Sequence, residues 1–102
     1  MSNNTYRLAL MIGHNVDGKP TLTATKIQRA IERTCKITGA TYIEAQGVWQ
    51  GSHEDTTVAV LYADHAEATR ILGTIPQLAS YLQQESIYTD MQPTHAVEVH
   101  AC

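Results

Sequence analysis

Two apolar runs that alternate in the manner of strands, Tyr6–Ile12 and Thr56–Ala63, are each followed by a stretch with helical spacing. This repeated pattern limits what the chain can fold into more than any other feature. In the first run Tyr6, Leu8, Leu10 and Ile12 share one face by the period of two, and Ala9 and Met11 leave the other face apolar as well. The second run holds Val58, Ala59, Val60 and Leu61 and is apolar on both faces, which predicts a central strand.

Between them, residues 13–20 supply the Gly, Asn, Asp and Pro of a loop. Thr21 or Thr23 then caps a helix running to about Thr38, with Gly39 as its stop. Its apolar stripe is Ala24, Ile27, Ala30, Ile31, Thr34 and Cys35. A second strand, Thr41–Trp49, carries Gly47 as a candidate bulge, and residues 50–55 form a hairpin loop. Asp64 and Glu67 have the spacing of a capping box. The second helix keeps its phase from Ala68 to Leu82 past Gly73 and Pro76, as one kinked helix or two collinear ones. The last strand is predicted over 94–101, with 86–91 as a short edge strand or an arm.

The resulting order is β-α-β-β-α-β in a single domain over 1–102, an α+β ferredoxin-like sandwich: an antiparallel sheet with two helices on one face. Right-handed crossovers set the first and third strands side by side, and parallel, at the centre. That direction gathers His14, Asp64, His65, Asp90 and His95 at one end of the sheet, and His53, Glu54, Arg7, His100 and Cys102 at the other. The helices leave one sheet face uncovered, and apolar surface of that kind predicts a homodimer or homotrimer.

With 102 residues, 43% of them hydrophobic and 17% charged, the chain has the composition of an ordinary globular domain. The polar start has no signal-peptide pattern, and the apolar run Leu8–Ile12 is too short to span a bilayer, so a cytoplasmic protein is expected. The two cysteines, Cys35 and Cys102, form no C-x-x-C pair and read as reduced thiols. Neither a metal nor a cofactor is implied, because the histidines and carboxylates lack ligand spacing such as H-x-x-x-H.

Charge is more informative. Lys26, Arg29, Arg33 and Lys36 are spaced three, four and three apart and share one helix face, opposite the apolar stripe. Such a stripe attracts phosphate-bearing ligands or an acidic partner, whereas the net charge of −3 argues against nucleic acid. Trp49 offers a stacking surface beside the hairpin, with His53 next to it. Tyr88 and Asp90 add an aromatic face and a carboxylate in the segment before the last strand. Paired as His53 with Glu54, or His14 with Asp90, these groups could also serve as acid and base.

The run Gly47-Val48-Trp49-Gln50-Gly51, then Glu54, Thr56 and the Val58 strand, then Gln84-Glu85-Ser86-Ile87, resembles a family of small uncharacterised bacterial α+β proteins. That resemblance covers the last two thirds of the chain and implies the fold without site residues. In architecture the chain is similar to the PII-like signalling proteins, which implies trimers binding nucleotides between subunits. The function expected from the sequence is a non-catalytic, oligomeric binding domain. Its ligand is a small anionic or nucleotide-like molecule near subunit boundaries, held by Lys26, Arg29, Arg33, Lys36, Trp49, His53, Tyr88 and Asp90. The alternatives are a small ferredoxin-like enzyme using His and carboxylate groups, and an interaction module using the basic face of the first helix.

Overall fold

The computed structural model describes residues 5–102. In chain order the elements are β1 (Thr5–Gly13), β2 (Asn15–Val16), β3 (Lys19–Pro20), α1 (Ala24–Cys35), β4 (Thr41–Trp49), β5 (Ser52–Asp64), α2 (His65–Tyr81) and β6 (Tyr88–Thr94). The main sheet has four strands in the order β4-β5-β1-β6, and every neighbouring pair is antiparallel.

The two central strands are therefore antiparallel to each other, which corrects the expected parallel pair. Each helix crossover steps over one strand, so β4 returns parallel to β1 with a gap between them. The β4–β5 hairpin then reverses the chain and drops β5 into that gap, against β1. The correction re-sorts the histidines. Gly13 pairs with Thr56 at one end, so His14 shares that end with the hairpin carrying His53. Thr5 pairs with Asp64 and Thr94 at the other end, where His65 and His95 lie.

The hairpin turn is tighter than the six-residue loop expected. Gln50 and Gly51 alone make it, with φ of 49° and 80°, the left-handed pair that suits a two-residue turn and the twist of its strands. Gly47 makes no bulge, since it pairs in register with Glu54. β6 spans 88–94, overlapping the short edge strand expected at 86–91, whereas the residues after it form no regular element where a strand over 94–101 was expected. Pro93 is accepted because β6 is an edge strand, where a missing N–H costs no ladder bond on its outer side.

Both helices lie on one face. There Leu8, Leu10 and Ile12 of β1 and Ala59 and Leu61 of β5 meet Ile27, Ile31 and Cys35 of α1 and Ala68, Ile71 and Leu78 of α2 in a dry core. Burial pushes the Cys35 thiol up, outweighing its hydrogen bond with Thr74 and the charge of Arg70. The helix α1 is capped by Thr23, whose hydroxyl accepts from the Lys26 N–H. It ends at Cys35, three residues before the expected Thr38, because Lys36 turns left-handed with φ of 50°. The helix α2 is continuous through Gly73 and Pro76, and Asp64 caps it by accepting from the Glu67 N–H at 2.8 Å. The Glu67 carboxylate does not reach back to complete a capping box but accepts both Arg70 Nε and Nη2 at 2.8 Å. Arg70 in turn donates to the Lys36 carbonyl and ties the end of α1 to α2. Among the described residues no helix is long and apolar enough to cross a membrane.

Candidate functional site

The sheet face away from the helices carries Arg7, Ala9, Met11 and Gly13 of β1, with Glu54, Thr56, Val58, Val60 and Tyr62 of β5 beside them, by the alternation and register of the ladder. Thr41, Ile43, Ala45, Gly47 and Trp49 complete it on one side, and Tyr88, Asp90 and Gln92 on the other. Met11, Ile43 and Tyr62 are exposed there.

Polar and aromatic groups concentrate at the Gly13 end of this face. The hairpin overhangs the end of β1, and Trp49 from one edge strand meets Tyr88 from the other edge-to-face, with ring centroids 6.2 Å apart. The rings stay 51% and 66% exposed, so the pair forms a wall and not a piece of core. Glu54 lies against Gly13, where an added Cβ would come within 2.7 Å of all three carboxyl atoms. One of its oxygens accepts the Asn15 N–H at 3.0 Å, which fixes the carboxylate at the strand end. Asp90 faces Arg7 at 3.7 Å on the same sheet face.

A second polar group sits on the helix side. Thr57 is fully buried there, and its hydroxyl donates to Glu44 Oε1 at 2.7 Å. With that proton spent, His14 Nε2 is the donor in its 2.8 Å contact with Thr57 Oγ1. Gln28 donates to the other Glu44 oxygen at 3.5 Å. The His14 backbone also donates to Asp55 and accepts from Thr21 and Leu22, so this residue anchors the loop that delivers the Asn15 N–H to Glu54. Nearby, burial and the hydrogen bond to Glu32 push the Tyr42 hydroxyl well above its ordinary range.

The eight sequence-predicted site residues fall on different surfaces. Trp49, Tyr88 and Asp90 share the open face. His53 alternates with Glu54 and points to the opposite face, so the two form no acid-base pair. His14 is likewise on the helix side, away from Asp90. Lys26, Arg29 and Arg33 line a groove of about 470 Å³ on the outer side of α1, which Lys36 does not join. Sequence reasoning attached Glu54 to the wrong partner and missed Glu44 and Thr57. The signal for Thr57 was present: it occupies a core-facing position of β5, where a buried hydroxyl needs partners. Among the described residues there is no group of three His, Cys, Asp or Glu placed to hold a metal ion.

No family model and no curated protein matches the chain. Solved structures do. A phage SAM lyase in complex with S-methyl-5'-thioadenosine is similar over 91% of this chain and 84% of its own, with a TM-score of 0.73 and 19% identity. A phage SAM lyase in the apo state is similar over 86% and 79%, with a TM-score of 0.61 and 21% identity. At these identities the likeness establishes the fold. It also corrects the expectation of a non-catalytic binding domain, because both of these solved structures are of an enzyme, in line with the alternative of a small enzyme. The resemblances to small bacterial proteins and to PII-like proteins remain expectations from sequence.

Proposed function

We propose that this protein is a small enzyme of ferredoxin-like topology that cleaves S-adenosylmethionine, with its site at the Gly13 end of the open sheet face. The observation that carries the reading is the Trp49–Tyr88 wall on the same face and at the same end as the fixed Glu54 carboxylate. The likeness in fold to the phage SAM lyase supports this choice of substrate class.

The substrate carries a sulfonium, an ammonium and an adenine ring. Aromatic faces attract the first by cation–π interaction and stack on the last. Cleavage breaks the bond between sulfur and the amino-acid carbon, and the bonding electrons go to sulfur, which leaves as the neutral thioether S-methyl-5'-thioadenosine. The four-carbon fragment is balanced either by a bond from its own carboxylate or by loss of a neighbouring proton, so no water is consumed. Charge disappears from sulfur on the way, and surroundings poor in water favour that loss. Met11 and the two rings, which meet solvent in the single chain, would form such surroundings once substrate or a second copy covers them. Glu54 suits a different task, holding the substrate ammonium or accepting the released proton, because the Asn15 N–H and the space at Gly13 fix its position.

The apolar remainder of the face, including Ile43, Val58, Val60 and Tyr62, is proposed to pack on a second copy as a dimer or trimer, with the site near that boundary. A cytoplasmic location goes with this reading. The test is to incubate the purified protein with S-adenosylmethionine and follow S-methyl-5'-thioadenosine by mass spectrometry. Product from the wild type, cut at least about tenfold in Glu54→Gln, supports the reading. Intact substrate after long incubation with folded protein overturns it. Light scattering tests the assembly separately, and a monomer at working concentration removes that part.

A further inference from the structure

On the outer side of the helix layer, away from the open sheet face, lies the groove of about 470 Å³ along α1, lined by Thr25, Lys26, Arg29, Arg33, Thr34 and by Tyr81 at the end of α2. That volume falls within the range of small-ligand sites. Among the described residues Lys26, Arg29 and Arg33 have no carboxylate within 4.0 Å, so their charge is not spent inside the protein. The three cations stand three and four residues apart and occupy about 10 Å of helix length. The first turn of α1 holds no acidic residue to compete for an anion. Tyr81 is 60% exposed and gives the groove one aromatic wall.

The chemistry of the groove is opposite to that of the proposed substrate. A sulfonium carrying an ammonium is repelled by three cations and has no phosphate to offer them. A row of donors in the same groove as a stacking ring matches a ligand with several phosphates in series and a flat base. We infer that this groove is a second site, separate from the open sheet face, which binds a nucleoside polyphosphate: Lys26, Arg29 and Arg33 hold the phosphates and Tyr81 stacks on the base.

The test is calorimetric titration of the full chain with ATP, inorganic pyrophosphate, adenosine and a short single-stranded oligonucleotide, each in excess S-methyl-5'-thioadenosine. ATP is expected to bind with that excess present. Affinity should fall roughly tenfold to hundredfold in Arg29→Glu/Arg33→Glu. Tyr81→Ala should bring ATP down to the affinity of pyrophosphate while leaving pyrophosphate itself unchanged. All these side chains are on the outer surface, and circular dichroism checks that the variants remain folded. The inference is overturned if ATP does not bind, if the thioadenosine displaces it, if adenosine binds as well as ATP, or if the double variant binds like the wild type. An oligonucleotide that outcompetes ATP overturns it too, in favour of a nucleic-acid surface. None of these outcomes depends on turnover of S-adenosylmethionine, so the inference stands or falls apart from the proposed reaction.

Discussion

The two faces of the sheet come from the same strands, yet they are built on opposite terms. On the helix side Leu8, Leu10 and Ile12 are covered, and the polar atoms of His14 and Thr57 are paired. On the open side Met11, Ile43 and Tyr62 meet solvent, Trp49 and Tyr88 stand as an exposed pair, and the Glu54 carboxylate is fixed by one backbone N–H and the space at Gly13. Alternation along a strand makes this division possible, since each residue belongs to one face only. One face therefore contributes stability, and the other carries the proposed site.

The largest effect that would sharpen the contrast is a core truncation. Leu10→Ala should cost about 2–5 kcal/mol by thermal or denaturant unfolding, whereas Met11→Ala, one residue along on the other face, should cost far less. Similar losses from the two would break the comparison. Next comes Thr57→Val, which keeps the shape but removes the hydroxyl between His14 and Glu44. It should cost about 1–3 kcal/mol, because the His14 imidazole and the Glu44 carboxylate, 3.5 Å apart, both lose the hydroxyl that links them.

Gly13→Ala should give the reverse result. The backbone there needs no left-handed conformation, so the fold tolerates a methyl group, but Glu54 must move from its seat. Stability should change by about 1 kcal/mol or less, and formation of S-methyl-5'-thioadenosine should fall by about tenfold or more. Full activity in this variant would remove Glu54 from the account.

The smallest effect concerns Tyr42, whose hydroxyl donates to Glu32 at 2.7 Å. Burial first, and then that hydrogen bond, raises its pKa above the ordinary 10.0. The folded protein therefore keeps this proton at a pH where the unfolded chain loses it. The resulting stabilisation is complete below about pH 10 and declines as the pH rises above that value. Tyr42→Phe should flatten this alkaline decline in unfolding experiments, with a change of about 1 kcal/mol or less at neutral pH.

Much of this division was legible in the sequence. The alternation in Tyr6–Ile12 and Thr56–Ala63 marked the central strands and the uncovered face, and the spacing of Lys26, Arg29 and Arg33 marked the row of cations that lines the groove. Lys36 departs from that row because the helix stops at Cys35, and the left-handed turn of a lysine leaves no pattern to read. Strand direction was legible from the connections but misread: a helix crossover keeps the direction of the chain and a hairpin reverses it, so the third strand runs against the first. Residue pattern fixes which side chains share a face and the connections fix which way each strand runs; the reversed third strand carried His53 and His14 to the same end. The Trp49–Tyr88 contact joins edge strands 39 positions apart in sequence and depends on a hairpin overhanging the end of β1, a property of the whole coiled sheet.

Trp49 is the only tryptophan in the chain, so intrinsic fluorescence reports directly on the proposed site. Titration of the folded protein with S-methyl-5'-thioadenosine should give a saturable change in tryptophan emission. That change should be lost or shifted roughly tenfold to weaker binding in Tyr88→Ala and be unaltered in Arg29→Glu/Arg33→Glu. Emission that stays flat to saturating ligand, or a response removed by the groove variant and not by Tyr88→Ala, would contradict the assignment of the open face as the functional one.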